Sequence, residues 1–154
     1  MKAVVQRVRN ASVKVDGRIT GAVEWGLLVY LGVARDDTEK DADWMAEKTA
    51  NLRIFEDPDG KMNLSLKDLE GDIPQGGPGV LAVSQFTLLG ELAKGRRPYY
   101  GEAAPPEKAK VLYEYFMGKI REQGLHCEAG IFQAHMDVSY TNDGPVTILL
   151  ESSK

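Results

Sequence analysis

Between Leu27 and Val33 the chain is apolar almost throughout. A strand with one wet face alternates polar and apolar residues, so an unbroken apolar run implies cover on both sides and a place at the centre of a sheet. The neighbouring segments read as its partners. Ala11, Val13 and Val15 alternate with Ser12 and Lys14, and Asp16-Gly17 supplies a turn dipeptide before Arg18-Ile19-Thr20, which predicts a hairpin.

From Asp37 the period lengthens to that of a helix. Asp37 or Thr38 is positioned to cap it, acidic residues follow early where the helix dipole favours them, and Ala42, Met45, Ala46 and Thr49 form one stripe. Trp44 lies beside that stripe and is expected to pack on the sheet rather than stack on a base. Leu52 to Phe55 and Met62 to Leu64 flank Asp57-Pro58-Asp59-Gly60, a turn in which Pro sets φ and Gly supplies φ > 0, so a second hairpin is expected. Gly71 to Gly79 lacks the Lys-Ser/Thr of a phosphate loop and precedes a strand instead of a helix, so it reads as a connector.

Val80 to Val83 is a short buried strand. Pro105-Pro106 opens a long helix whose Ala109, Leu112, Tyr113, Phe116, Met117 and Ile120 share a face and which Gly124 stops. Met136, Val138 and Tyr140 alternate as one strand and Val146, Ile148 and Leu150 as the last, with Asn142-Asp143-Gly144-Pro145 between them. Strands, helix, strands, helix, strands without βαβ repetition predict an α+β fold with a largely antiparallel, curled sheet.

At 154 residues the chain is expected to be a single domain over 1–154. One cysteine, Cys127, excludes an internal disulfide. The lack of a leading apolar segment or of a run near the ~20 residues of a membrane span predicts a cytoplasmic protein with no membrane partner. A formal charge of −4 argues against a nonspecific nucleic-acid coat, so any RNA contact must be local.

The stretch most open to chemistry is Ser84-Gln85-Phe86-Thr87-Leu88, because a rigid strand fixes its position while its exposed end leaves two hydroxyls, an amide and a ring within reach. Taken alone it also reads as a Ser/Thr turn. No conventional triad accompanies it. His126 and His135 suit structural or surface roles, Cys127 a small buried hydrophobe pointing to the opposite face from His126, and no Cys/His cluster has metal-ligand spacing, so neither metal nor cofactor is expected. Backbone chemistry remains: if the strand ends at Ser84, the N–H groups of Phe86 and Thr87 converge as an oxyanion hole. Lys94, Arg96 and Arg97 beside Tyr99-Tyr100 suit phosphate and base contacts, or else form a solvated basic loop.

Ser84-Gln85-Phe86-Thr87-Leu88, read with Asn142-Asp143-Gly144-Pro145-Val146-Thr147, resembles the paired signature of the D-aminoacyl-tRNA deacylases. Met1 to Val8 resembles that family's first strand, and Arg53 to Asp57 with Gly60 to Leu66 its central hairpin. The resemblance implies a barrel-like sheet with two helices, a homodimer, and hydrolysis of the ester of D-aminoacyl-tRNA in chiral proofreading of translation, with glycine mischarged on tRNA-Ala as a second candidate substrate. It also implies roles for particular residues. Ser84, Gln85, Phe86 and Thr87 would form the catalytic segment, Phe86 supporting the adenine of the tRNA 3′ end while Gln85 and Thr87 line the ester site. The 2′-hydroxyl of the terminal ribose would help activate water, ahead of Thr87 as a nucleophile. Gly144-Pro145 would carry a cis peptide into the partner subunit's site and exclude L-amino acids, with Arg7 holding that loop. Phe132 and Ala134 would contact substrate, with Gln133 standing where the family pattern has glycine, and Lys94, Arg96 and Arg97 would contact RNA. Two other readings compete: a noncatalytic module that binds RNA ends, and an editing domain acting on L-aminoacyl-tRNA, like that of some threonyl-tRNA synthetases.

Overall fold

A computed structural model describes residues 1–69 and 78–152. The chain opens with β1 (Lys2–Val15) and β2 (Arg18–Gly32), a long antiparallel hairpin whose turn residues Asp16 and Gly17 both take positive φ, the geometry that matches the twist of paired strands. Helix α1 (Glu39–Ala50) follows. Its N-cap is Thr38, whose backbone N–H donates to the Asp41 carboxylate at 2.8 Å, and Ala42, Met45, Ala46 and Thr49 are buried as the stripe predicts. Trp44 packs against the core beneath this helix. The second hairpin is shorter than its apolar flanks suggest, pairing only β3 (Phe55–Glu56) with β4 (Met62–Leu64). The connector expected over Gly71–Gly79 lies outside the described residues except for Pro78 and Gly79, and Gly79 already belongs to β5 (Gly79–Ser84). Helix α2 (Pro106–Glu122), β6 (His126–Ala129) and β7 (Asp137–Glu151) complete the described chain.

The five long strands form one sheet in the order β6-β5-β2-β1-β7, with β2 at the centre as its apolar run requires. The extensive pairings, β1 with β2 and β1 with β7, are antiparallel, whereas β5 runs parallel to both β2 and β6. The second helix therefore carries the chain across from β5 to its parallel neighbour β6, a βαβ unit that the order of elements alone does not reveal. The sheet curls without closing, since β6 and β7 do not pair. The curl brings the first half of β2 so close to β6 that a Cβ on Gly21 would collide with the Ala129 carbonyl.

Each face of the sheet has its own core. Leu27, Val29 and Leu31 point toward the helices and pack with Met45, Phe55 and Phe116, while Leu28, Leu81 and Val83 point the other way and pack with Val8, Val13 and Val23. In β1 the inward face changes partway: Ala3 and Val5 serve the helical core, Val8, Ala11 and Val13 the other. The slip occurs at Asn10, which has φ 51°, and there Asn10 and Ala11 together oppose the lone Tyr140 of β7, a β-bulge.

The C-terminal segment departs from the two strands expected of it. β7 is continuous from Asp137 to Glu151, and the Asn142-Asp143-Gly144-Pro145 segment is a wide bulge within it. Asp143, Gly144, Pro145 and Val146 stand opposite Arg7 alone, with pairing intact on both sides. Long antiparallel partners hold both ends in register, so the turn-prone residues are absorbed as an excursion and the strand does not end. At the start of the chain, the Met1 ammonium group is buried against Asp37 at 2.7 Å and donates to the Ser152 hydroxyl, fastening the start of β1 and the end of β7 to the segment that leads into α1.

Candidate active site

Strand β5 is buried from Gly79 to Val83 and becomes half-exposed at Ser84. One further ladder bond, from the Gln85 N–H to the Leu31 carbonyl at 2.8 Å, fixes the exit of the chain before it tightens into a 3-10 turn over Phe86–Leu89. Gly32 permits this, because a side chain there would run into Leu89 and the Gln85 carbonyl. The N–H of Leu88 donates to Gln85 and that of Gly90 to Thr87, which leaves the N–H groups of Phe86 and Thr87 at the open start of the turn. The Gln85 side-chain amide donates to the Thr87 hydroxyl, so that hydroxyl faces an amide and not a base.

Phe86 is 58% exposed, which is unusual for a phenylalanine, and it meets Tyr100 edge to face with ring centres 5.0 Å apart. These rings stand at the edge of a cavity of about 700 Å³. Ser84, Gln85 and Phe86 line one wall, and Phe132, Gln133 and Ala134, from the loop between β6 and β7, line another; Thr87 is not part of the lining. The floor is apolar, built from Leu31 and Val83 of the sheet and from Ala109 and Tyr113 of α2.

Tyr113 ties these walls together. Its hydroxyl donates to the Ala82 carbonyl at 2.9 Å, the same carbonyl that accepts the Gly130 N–H at 3.1 Å, and its ring lies 6.0 Å from that of Phe132. Burial, with a smaller push from Cys127, raises the Tyr113 hydroxyl well above the usual tyrosine range, so it remains a donor. In the sequence Tyr113 is one member of an apolar helical stripe, and nothing local marks its hydroxyl for Ala82.

The other expected site residues lie elsewhere. Arg7 is buried at the bulge of β7, donating through Nη1 to the Ile54 carbonyl at 2.6 Å and through Nε to the Asp143 carbonyl at 3.3 Å, with the Asp143 carboxylate 3.2 Å away. It thus holds the Gly144-Pro145 segment, whose peptide is cis. The Asn142 side chain braces the same turn by accepting the Val146 N–H at 3.2 Å. Ser84 pairs with Leu31 and so lies level with Ala3, three strand spacings across and four residues along from the bulge. That amounts to roughly 20 Å along the sheet. Lys94, Arg96 and Arg97 are exposed in a loop closed by the Glu91–Tyr99 bridge. His126 and Cys127 face oppositely as alternation requires. Burial pushes the Cys127 thiol up to about 11, which leaves it protonated and inert, and His126 lies 3.2 Å from Glu128 away from the cavity. His135 lines the cavity mouth at 96% side-chain exposure.

The family model described as D-Tyr-tRNA(Tyr) deacylase matches residues 4–151. The chain belongs to that family. Among the deacylases, the D-aminoacyl-tRNA deacylase of Geotalea uraniireducens is 61% identical over 154 residues, covering 100% of this chain and 95% of that one. The D-aminoacyl-tRNA deacylase of Koribacter versatilis is 60% identical, covering 100% and 99%. A solved structure named "c-Myc DNA Unwinding Element Binding Protein" superimposes with a TM-score of 0.87 at 42% identity over 100% of both chains. A probable eukaryotic D-amino acid tRNA deacylase shares the fold, with a TM-score of 0.79 at 16% identity over 97% of each chain.

Proposed function

We propose that this chain is a D-aminoacyl-tRNA deacylase, hydrolysing the ester between a D-amino acid and the terminal ribose of its tRNA. The carrying observation is the cavity that joins Ser84-Gln85-Phe86 to Phe132-Gln133-Ala134 in a member of this family. Water adds to the ester carbonyl, the bond to the ribose oxygen breaks, and that oxygen leaves with a proton as the amino acid departs. The N–H groups of Phe86 and Thr87, without a backbone partner among the described residues, stabilise the oxyanion, each well-placed donor contributing about 3 kcal/mol. The exposed Phe86 ring offers the terminal base a stacking face beside Tyr100. The Thr87 hydroxyl is engaged by an amide and has no basic partner among the described residues, which supports water activated with help from the substrate's own 2′-hydroxyl over a threonine nucleophile. The exposed Lys94, Arg96 and Arg97 would meet the tRNA backbone.

The Gly144-Pro145 bulge is too distant to reach its own chain's cavity, and this supports a homodimer in which each subunit lends the bulge, held by Arg7, to its mate. Exclusion of L-amino acids by that bulge would make the enzyme a chiral proofreader of cytoplasmic translation. Among the described residues no helix is long and apolar enough to cross a membrane.

The test is to follow ester loss from D-Tyr-tRNA and L-Tyr-tRNA side by side. Much faster loss from the D-ester is expected. Equal rates would favour an editing domain of the L-type, and binding without hydrolysis a noncatalytic RNA-end module. A mixed dimer carrying a Pro145 variant in one subunit and a Ser84-to-Thr87 variant in the other should recover one working site. Heterodimers that stay inactive would refute the exchange of loops.

A further inference from the structure

Gln133 occupies a backbone conformation that its side chain disfavours. It is the third residue of a turn closed by the Ala134 N–H on the Ile131 carbonyl, and its φ of 65° lies in the left-handed region where glycine is the natural occupant. A side chain that costs stability at an exposed position invites a functional reading, because strain of this kind collects at sites that use it.

The cavity narrows what that use is. Its lining holds two primary amides, those of Gln85 and Gln133. Gln85 directs its N–H₂ group to the Thr87 hydroxyl, and Tyr113 commits its hydroxyl to Ala82. Gln133 makes no hydrogen bond to the described residues and is exposed. An unpaired amide, donor and acceptor side by side, thus lines the same cavity as an exposed aromatic ring suited to stacking a base. A primary amide is complementary to an adenine edge, donating to a ring nitrogen while accepting from the 6-amino group.

We propose that Gln133 is a specificity-determining residue that reads the edge of the terminal adenine while Phe86 stacks on its face. This rests on the proposed deacylase reading and assigns base selection to one side chain of that site. The left-handed turn is then retained because it aims the amide into the cavity.

The experiment compares D-tyrosyl-tRNA ending in adenosine with the same tRNA ending in purine riboside, which lacks the 6-amino group, for wild type, Gln133→Gly and Gln133→Asn. Wild type should prefer adenosine in kcat/KM by about tenfold or more. Gln133→Gly, which loses both contacts, should fall on adenosine to or below the wild-type value on purine riboside and show no preference, while its thermal midpoint holds or rises because glycine suits the turn. Gln133→Asn should keep part of the preference. An equal preference in wild type and Gln133→Gly, or none in wild type, overturns the assignment while leaving the deacylase reading intact. Failure of wild type to release D-tyrosine from either tRNA overturns both.

Discussion

Replacing Arg7 by Met tests whether the β7 bulge is held by one side chain. Methionine fills the aliphatic path of the arginine but removes the guanidinium. The buried bond to the Ile54 carbonyl is lost outright, leaving that acceptor without its partner, which costs about 2 kcal/mol for a charged donor. The contact with Asp143 is partly solvated, since that carboxylate is 26% exposed and also has Arg9 at 3.6 Å, so its loss is discounted to about 1 kcal/mol. The sum, about 3 kcal/mol, corresponds to a fall in Tm of roughly 6–12 °C for a chain of this size. Urea and thermal unfolding would measure it. At a temperature where the variant is still folded, D-aminoacyl-tRNA deacylation should drop at least about tenfold, because the bulge loses its anchor while the strand on either side stays paired. Asp143→Asn alone should cost less, and the double variant should be less harmful than the sum of the two, since the residues share one interaction. Arg7→Met within about 0.5 kcal/mol of wild type, with full activity, would refute the reasoning.

Neutralising Lys94, Arg96 and Arg97 together should weaken tRNA binding and flatten its salt dependence by up to three counterions, about one per lost phosphate contact, measured by titration at several salt concentrations. Asp37→Asn should cost about 3 kcal/mol in unfolding experiments, because it leaves the Met1 ammonium buried without a counter-charge. Cys127, its thiol pushed up to about 11 by burial, should resist alkylation at pH 8 in the folded protein and react promptly in denaturant. Although desolvation alone would raise Asp41, hydrogen bonds from Thr38 and Ser152 hold its carboxyl below the ordinary value. The stability it contributes is therefore present above pH ~4 and lost as pH falls through the depressed value, so Asp41→Asn should narrow its deficit to wild type in acid unfolding curves.

Features governed by neighbours in sequence are legible in the residues themselves. The Asp16-Gly17 hairpin, the stripe of α2 with its Gly124 stop, and the central place of Leu27 to Val33 all follow from turn chemistry and period, and the fold realises them. The Ser84-to-Leu88 segment is legible for the same reason, since β5 and its exit are local. What escapes a reading of the sequence depends on partners far along the chain. β7 reads as two strands because Asp143-Gly144-Pro145 is turn-prone, and only the register with β1 shows that pairing resumes beyond it. The parallel seating of β6 beside β5 is likewise invisible in composition. Tyr100, Tyr113 and Gln133 join the cavity through tertiary placement, although the sequence does mark Gln133 as occupying a position where the family pattern has glycine.

The slip at Asn10 bears on which genetic changes this protein tolerates. β1 and β2 stay in register across it, with Arg9 opposite Trp25 and Ala11 opposite Val23, so both strands change their inward face at the same level. Single-residue replacements there leave that frame untouched. Loss of the Asn10 codon would restore simple alternation and leave Ala11 and Val13 facing the second core, but it would slip the rest of β1 by one residue against β2, setting Ala11 opposite Glu24 and Ser12 opposite Val23. Such a deletion is reparable only by a second, matching deletion in the facing arm of β2, around Glu24 and Trp25. Deletion libraries across the two arms should therefore yield survivors in pairs, at positions that face each other across the hairpin.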